Sequence, residues 1–125
     1  MLGHLSLGVS DLEHSGRFYD AVLAAIGWVR VWDSPRGIGY GAPGGGDRIA
    51  IFPHPDTTER LAAGPGFHLA LDAPDHAAVD RFHAAALASG GASYGEPGLR
   101  PHYGASYYAA FVTDPDGHKL EVVNQ

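Results

Sequence analysis

The feature that most constrains this chain is a repeat within it. Shifted by 64 positions, residues 4–27 align without gaps on residues 68–91, and ten of the 24 positions are identical. Alanine-rich segments inflate such counts. The pairs His4/His68, Asp11/Asp75, Arg17/Arg81, Phe18/Phe82 and Gly27/Gly91 are harder to obtain by chance at one offset. Self-similarity at a fixed spacing marks a duplicated supersecondary unit, so one fold description must serve both halves.

Each copy reads in the same order. A short alternating strand (Leu5, Leu7, Val9; then Leu69, Leu71, Ala73) runs into an aspartate suited to cap a helix, Asp11 or Asp75. Ser10 and Glu13 offer a capping box at the first helix. Phe18, Val22 and Ile26 with Leu12, Tyr19 and Leu23, and later Val79, Phe82, Ala86 and Leu87, recur at helical spacing. Gly27 and Gly90-Gly91 end the helices. Three strands are expected after each helix, at about 28–33, 37–42 and 48–53, then about 92–96, 106–113 and 118–124. The expected fold is α+β, two tandem βαβββ modules forming a curved mixed sheet in a single domain, 1–125. The modules are about 1–57 and 66–125, joined by a linker at 54–66, with a loop at 97–105 in the second copy only. Asp114-Pro115-Asp116-Gly117 has turn chemistry, and the Gly44-Gly46 run, lacking a strand-to-helix context, is not a phosphate loop.

Composition narrows the function classes. The formal charge of −6 disfavours a sequence-independent nucleic-acid binder. No apolar run reaches the length of a membrane span, and the start lacks a secretion signal, so a cytoplasmic location is expected. With no cysteine, a metal would need nitrogen and oxygen ligands, and there are eight histidines.

Strand alternation sorts those ligands. If Leu5, Leu7 and Val9 face the helix, His4, Ser6 and Gly8 face away; likewise His68, Ala70 and Asp72 lie opposite Leu69 and Leu71. In the last strand Leu120 and Val122 face the helices while Lys119, Glu121 and Val123 do not. His4, His68 and Glu121 thus project from the helix-free side, a 2-His-1-carboxylate set suited to one divalent ion, Fe, Mn, Ni, Co or Zn. Aligning RIAIF on HKLEV sets Ile51 against Glu121, so no fourth ligand is expected. His14, His54, His76, His83 and His118 read as surface or linker residues, His83 partly buried.

The opening His4–Glu13 stretch with Phe18-Tyr19, the Gly66–Ala70 segment and the closing Phe111–Glu121 segment together resemble the vicinal oxygen chelate superfamily: glyoxalase I, bleomycin-resistance proteins, fosfomycin-resistance enzymes and extradiol dioxygenases. The resemblance covers essentially the whole chain. It implies paired modules, usually in a homodimer, with His4, His68 and Glu121 as metal ligands. It also implies a small oxygenated substrate, with Glu121, Tyr108 and His102 as catalytic residues and Arg100, Tyr103, Tyr107 and Ser6 contacting substrate. By alternation one of Tyr107 and Tyr108 faces the cavity. Glyoxalase I carries an acid where Ile51 is expected here, which argues against lactoylglutathione lyase activity. Fosfomycin-modifying relatives need a cationic pocket, for which Arg36, Arg48 and Arg100 are candidates. The leading expectation is a metalloenzyme of lyase, isomerase, transferase or dioxygenase type. The rival is a bleomycin-resistance-type binding protein without catalysis, and a third reading is a sensor module.

Overall fold

In the computed structural model, which describes residues 1–125, the first copy comprises β1 (Leu5–Val9), α1 (Leu12–Ala24), β2 (Val29–Ser34), β3 (Gly37–Gly41) and β4 (Ile49–Pro53). The second comprises β5 (Leu69–Asp72), α2 (His76–Ala88), β6 (Ala92–Leu99), β7 (Tyr108–Thr113) and β8 (Lys119–Asn124). Each copy forms a mixed four-stranded sheet of the same topology, ordered β1-β4-β3-β2 and β5-β8-β7-β6. The first and last strands of a module pair in parallel because the helix carries the chain back across the sheet; the remaining pairs are antiparallel. No helix is long and apolar enough to cross a membrane.

The duplicated residues do the same local work twice. Asp11 caps α1 by accepting the His14 N–H at 3.1 Å, and Asp75 caps α2 by accepting that of Ala78 at 2.7 Å. The capping box does not form: the Ser10 N–H donates to Asp116, and Glu13 pairs with Arg17. Both helices close with a Schellman bond, Trp28 N–H to the Leu23 carbonyl and Gly91 N–H to the Ala86 carbonyl. The residues just before those donors, Gly27 and Gly90, take positive φ. Gly27 therefore corresponds to Gly90, not to Gly91.

Phe18, Tyr19, Val22 and Leu23 of α1, with Val79, Phe82 and Ala86 of α2, join Ile49, Ile51, Leu71, Leu120 and Val122 in one buried cluster. Each large side chain buried there contributes about 1.5–3 kcal/mol. The helices also pack against each other, so the two modules share one core. What remains is a helix-free face on each sheet, called its open face below.

The Asp114–Gly117 turn proves to be a clamp between modules. Asp114 is buried and accepts the Tyr19 hydroxyl at 2.6 Å on one oxygen. Its other oxygen accepts the N–H groups of Asp116 and His118. Burial pushes the Asp114 carboxyl up, and these donors oppose the rise. His118 was expected at the surface; it is buried, with Nε2 donating to the Gly8 carbonyl at 2.7 Å. His83 is buried as well, bonded to Ser93. The expected loop at 97–105 starts later, because β6 runs through Pro97 to Leu99. An edge strand with broken register tolerates a proline that a central strand would not.

Candidate metal centre

Three β8 side chains, Lys119, Glu121 and Val123, stay outside the core cluster while Leu120 and Val122 enter it, as alternation requires. Glu121 pairs across the sheet with Ala70 on β5 and Phe111 on β7. The residue is 3% exposed. Burying an ion so deeply is costly unless donors surround it. Here His68, one residue before β5, sets Nε2 at 2.8 Å from one carboxylate oxygen, and the Tyr107 hydroxyl donates to the other. Burial first, then the bond to Glu121, raises the Tyr107 phenol to about 12, so it stays protonated at neutral pH. No Lys or Arg forms an ion pair with Glu121.

This donor set fits a divalent cation. Two ligand atoms bound at right angles at about 2.1 Å from one ion lie roughly 3 Å apart, close to the His68–Glu121 separation. No lysine or arginine neutralises the carboxylate, and the His68 side chain is 43% exposed, so the His68–Glu121 pair is open on its outer side. The largest cavity, about 400 Å³ around Arg17, Arg30 and Asp33, lies elsewhere.

His4 stands one residue before β1, as His68 does before β5, and it is exposed, with no side-chain partner of its own among the hydrogen bonds or ion pairs. No three His, Asp or Glu side chains of one chain come together closely enough to hold an ion. One chain therefore assembles two of the three expected ligands.

The expected match of Ile51 with Glu121 is off by one. Leu5 pairs with Ile49 in the first sheet, and its equivalent Leu69 pairs with Leu120 in the second. Ala50, beside Ser6, therefore occupies the position of Glu121 beside Ala70. Ile51 faces the core and is fully buried. A one-residue slip moves a side chain to the other face of a sheet. The consequence survives the correction, since alanine cannot ligate either.

The tyrosine pair resolves in favour of Tyr107. Tyr108 points to the helix side, donates to Asp80 at 2.7 Å and stacks on His76 at 3.9 Å. That removes Tyr108 from the open face and from the catalytic role expected of it. His102 lies 4.2 Å from Tyr103, ring to ring, and Tyr103 lies 5.3 Å from Tyr107, so an aromatic file runs from the exposed loop to Glu121. Arg100 lies over Phe111, whereas Arg48 is spent on the Gly3 carbonyl and Arg36 sits in the β2–β3 turn. The three arginines do not converge. Ser6 is on the other sheet's open face, in the row Ser6–Ala50–Gly39.

That row exposes a feature alternation alone could not reveal. The Trp32 indole lies directly on Gly39, where a Cβ would fall 2.0 Å from its Nε1, and the Trp32 and Phe52 rings are 6.0 Å apart. The signal in the sequence was the alternating glycines at 37 and 39, which lie under Phe52 and Trp32.

Comparison with known proteins follows the same lines. The sequence profile of the Glyoxalase/Bleomycin resistance protein/Dioxygenase superfamily matches residues 1–122. A protein of Synechocystis sp. named as a probable lactoylglutathione lyase is 32% identical, over 96% of this chain and 92% of its own length. The crystal structure of a glyoxalase/bleomycin resistance protein from Albidiferax ferrireducens has a TM-score of 0.82 at 32% identity, covering 100% of this chain and 98% of that one. The fosfomycin resistance protein FosX from Mesorhizobium loti shares the fold at a TM-score of 0.71 and 24% identity, covering 100% and 92% of the two chains.

Proposed function

The chain belongs to the Glyoxalase/Bleomycin resistance protein/Dioxygenase superfamily, and on that premise we propose that it is a divalent-metal-dependent enzyme acting on a small oxygenated molecule. The observation that carries this reading is the buried Glu121 carboxylate facing the His68 Nε2 at 2.8 Å with no Lys or Arg beside it. His68 and Glu121 would hold the ion, and His4 of a second copy would complete the set, making the working unit a homodimer, which we place in the cytoplasm. The lack of a three-ligand cluster within one chain, where His68 meets Glu121 and His4 does not, supports that division. A bound ion supplies a Lewis acid with open positions for two substrate oxygens.

The chain's own residues do the rest. Tyr107 fixes the orientation of Glu121 by donating to it, and it takes the place expected of Tyr108. His102 stands at the exposed end of the aromatic file, and we assign it the acid–base role there. Ala50, where glyoxalase I has an acid, leaves this chain one carboxylate short for proton shuttling at the substrate carbon. We therefore read it as distinct from lactoylglutathione lyase, despite the name of its Synechocystis relative.

The test is metal content in solution. Protein purified without chelator is expected to carry near one ion per chain, and His4→Ala, His68→Ala and Glu121→Gln each to lose it. Mixing and refolding His4→Ala with His68→Ala should restore one site per mixed dimer, because one interface then keeps both histidines. Failure of wild type to take up Fe, Mn, Ni, Co or Zn when supplied would refute the reading. Metal binding without rescue in the mixture would refute only the shared site.

A second reading rests on the Trp32–Phe52 pair. A flat apolar molecule bound there without metal would make the protein a sequestering one. Ligand binding that persists in His68→Ala would favour it.

A further inference from the structure

The open face of the second sheet carries a fixed cation that the ligand set does not use. Arg100 leaves the end of β6 and folds back across that strand. Its Nη1 donates to the Gly98 carbonyl at 2.9 Å and its Nη2 to the Glu96 carbonyl at 2.7 Å. The guanidinium lies over the Phe111 ring, 5.5 Å from the centroid. Phe111 is the direct cross-strand partner of Glu121, and its ring meets the His68 ring edge-on at 6.0 Å.

The bed for this arginine is built from glycines. A Cβ at Gly95 would stand 3.3 Å from Nη2, and one at Gly98 would stand 3.2 Å from Nη1. Both glycines lie opposite β7 residues of the open face, Phe111 and Ala109. The loop that follows is tied to the same place, since the Arg100 N–H donates to the Tyr107 carbonyl at 2.7 Å while the Tyr107 side chain reaches Glu121. Arg100 and the Glu121 site are thus held in fixed relation by one short loop.

Arg100 has no carboxylate partner, and its two anchors are neutral carbonyls. A guanidinium has five N–H donors, so three remain, enough for a two-pronged bond to a carboxylate. Of the carboxylates on this face, Glu121 lies on β8, with β7 between it and β6, and Asp72 lies on β5 at the far edge of the sheet. Phe111 has a second ring beside it, Tyr94 at 5.5 Å, and the loop that follows Arg100 carries the Tyr103–Tyr107 pair. Lys119, over Tyr94 at 5.7 Å, adds a second cation at the far end.

We infer that Arg100 is an anion-recognition residue that receives the carboxylate of a planar, aromatic-type acid lying on Phe111 with its other end directed at the His68–Glu121 pair. This deepens the proposed function by naming the substrate class, and it rests on that reading only for what happens at the far end. The carboxylate would choose Arg100 over solvent because the guanidinium is already immobilised and half-buried, so little ordering remains to be done on binding.

The test titrates benzoate, with benzamide as its neutral match, into protein as purified and after metal removal, following the Arg100 Nε–H resonance and the heat of binding. Saturable benzoate binding is expected in both forms, with benzamide much weaker. Arg100→Met should weaken benzoate about tenfold or more, the loss of a charge-assisted bond. Arg100→Lys, which keeps a point charge and the fold should Arg100→Met destabilise it, should bind between the two. Benzoate binding that is equal in wild type and Arg100→Met, equal for benzamide, or undetectable in wild type overturns the inference. Metal content measured on the same samples separates the two claims. Wild type that carries no metal yet loses benzoate on Arg100→Met sinks only the metal reading. Metal-bearing protein whose benzoate affinity ignores Arg100 sinks only this one.

Discussion

Glutamate introduced at two neighbouring β4 positions tests the strand register on which the site depends. Ile51 is fully exposed to the core and not at all to water, beside Leu7 of β1 and Ile38 of β3. Ile51→Glu forfeits about 2–3 kcal/mol of apolar burial. It also drives a carboxyl into the core, at a further cost of a few kcal/mol even when neutral. The sum, roughly 5 kcal/mol, is comparable to the whole stability of many domains. At about 3–5 °C per kcal/mol for a chain of this size, Tm should fall by about 15–25 °C. Ala50→Glu removes no apolar packing and puts its carboxyl on the open face, where the Trp32 indole, 37% exposed, can shift aside. Its cost should stay near 1–2 kcal/mol, a drop of about 5 °C. The sign of the pH dependence separates the two further. A carboxyl buried at 51 has its pKa raised above the unfolded value, so its penalty is largest at neutral pH. That penalty shrinks as pH falls through the raised folded value toward the unfolded one, about 4.3. Thermal denaturation by circular dichroism between pH 5 and pH 8 reads both effects. If Ile51→Glu were the tolerated variant and Ala50→Glu the unfolding one, the pairing of β1 with β4 would be displaced by one residue and the account of the site with it.

Tyr107→Phe should weaken divalent-metal binding by about 10–100-fold in a competition titration, because it deprives the proposed ligand Glu121 of its orienting donor. Tyr108→Phe, whose hydroxyl meets Asp80 on the helix side, should leave it unchanged. Equal effects would refute the assignment of faces. Ultraviolet titration of metal-free protein should show Tyr107 among the high-titrating tyrosines, near 12. Tyr107→Phe should remove it. Since that value is raised, the stabilisation by Tyr107 is complete below about pH 10 and is lost as pH climbs through about 12. Tyr19→Phe strips the buried Asp114 of its side-chain donor and should cost about 2 kcal/mol, a Tm drop of about 5–10 °C, in a single cooperative transition because both modules share one core. Separate unfolding of the modules would contradict the clamp.

The sequence alone determined whatever is written in local pattern. The duplicated strand–cap–helix–glycine order predicted two βαβββ modules, because alternation, aspartate caps and glycine stops act within a few residues. It placed His68 and Glu121 on the helix-free side for the same reason: side-chain direction in a strand is set by parity. Tertiary structure alone decided what depends on pairing between distant segments. Alternation in RIAIF already sets Ile49 and Ile51 on one face and Ala50 on the other, as Leu120 and Val122 flank Glu121, but that Ala50 stands beside Ser6 is fixed only by the β1–β4 hydrogen bonds. The choice between Tyr107 and Tyr108 needed the register of β7 against α2, and the burial of His118 needed the first module to be packed on the turn of the second. The separation of His4 from its expected partners has the same origin. Equivalent places in a repeat are related by the symmetry of the fold, not by proximity, and only the packing of the modules settles which histidine meets which carboxylate.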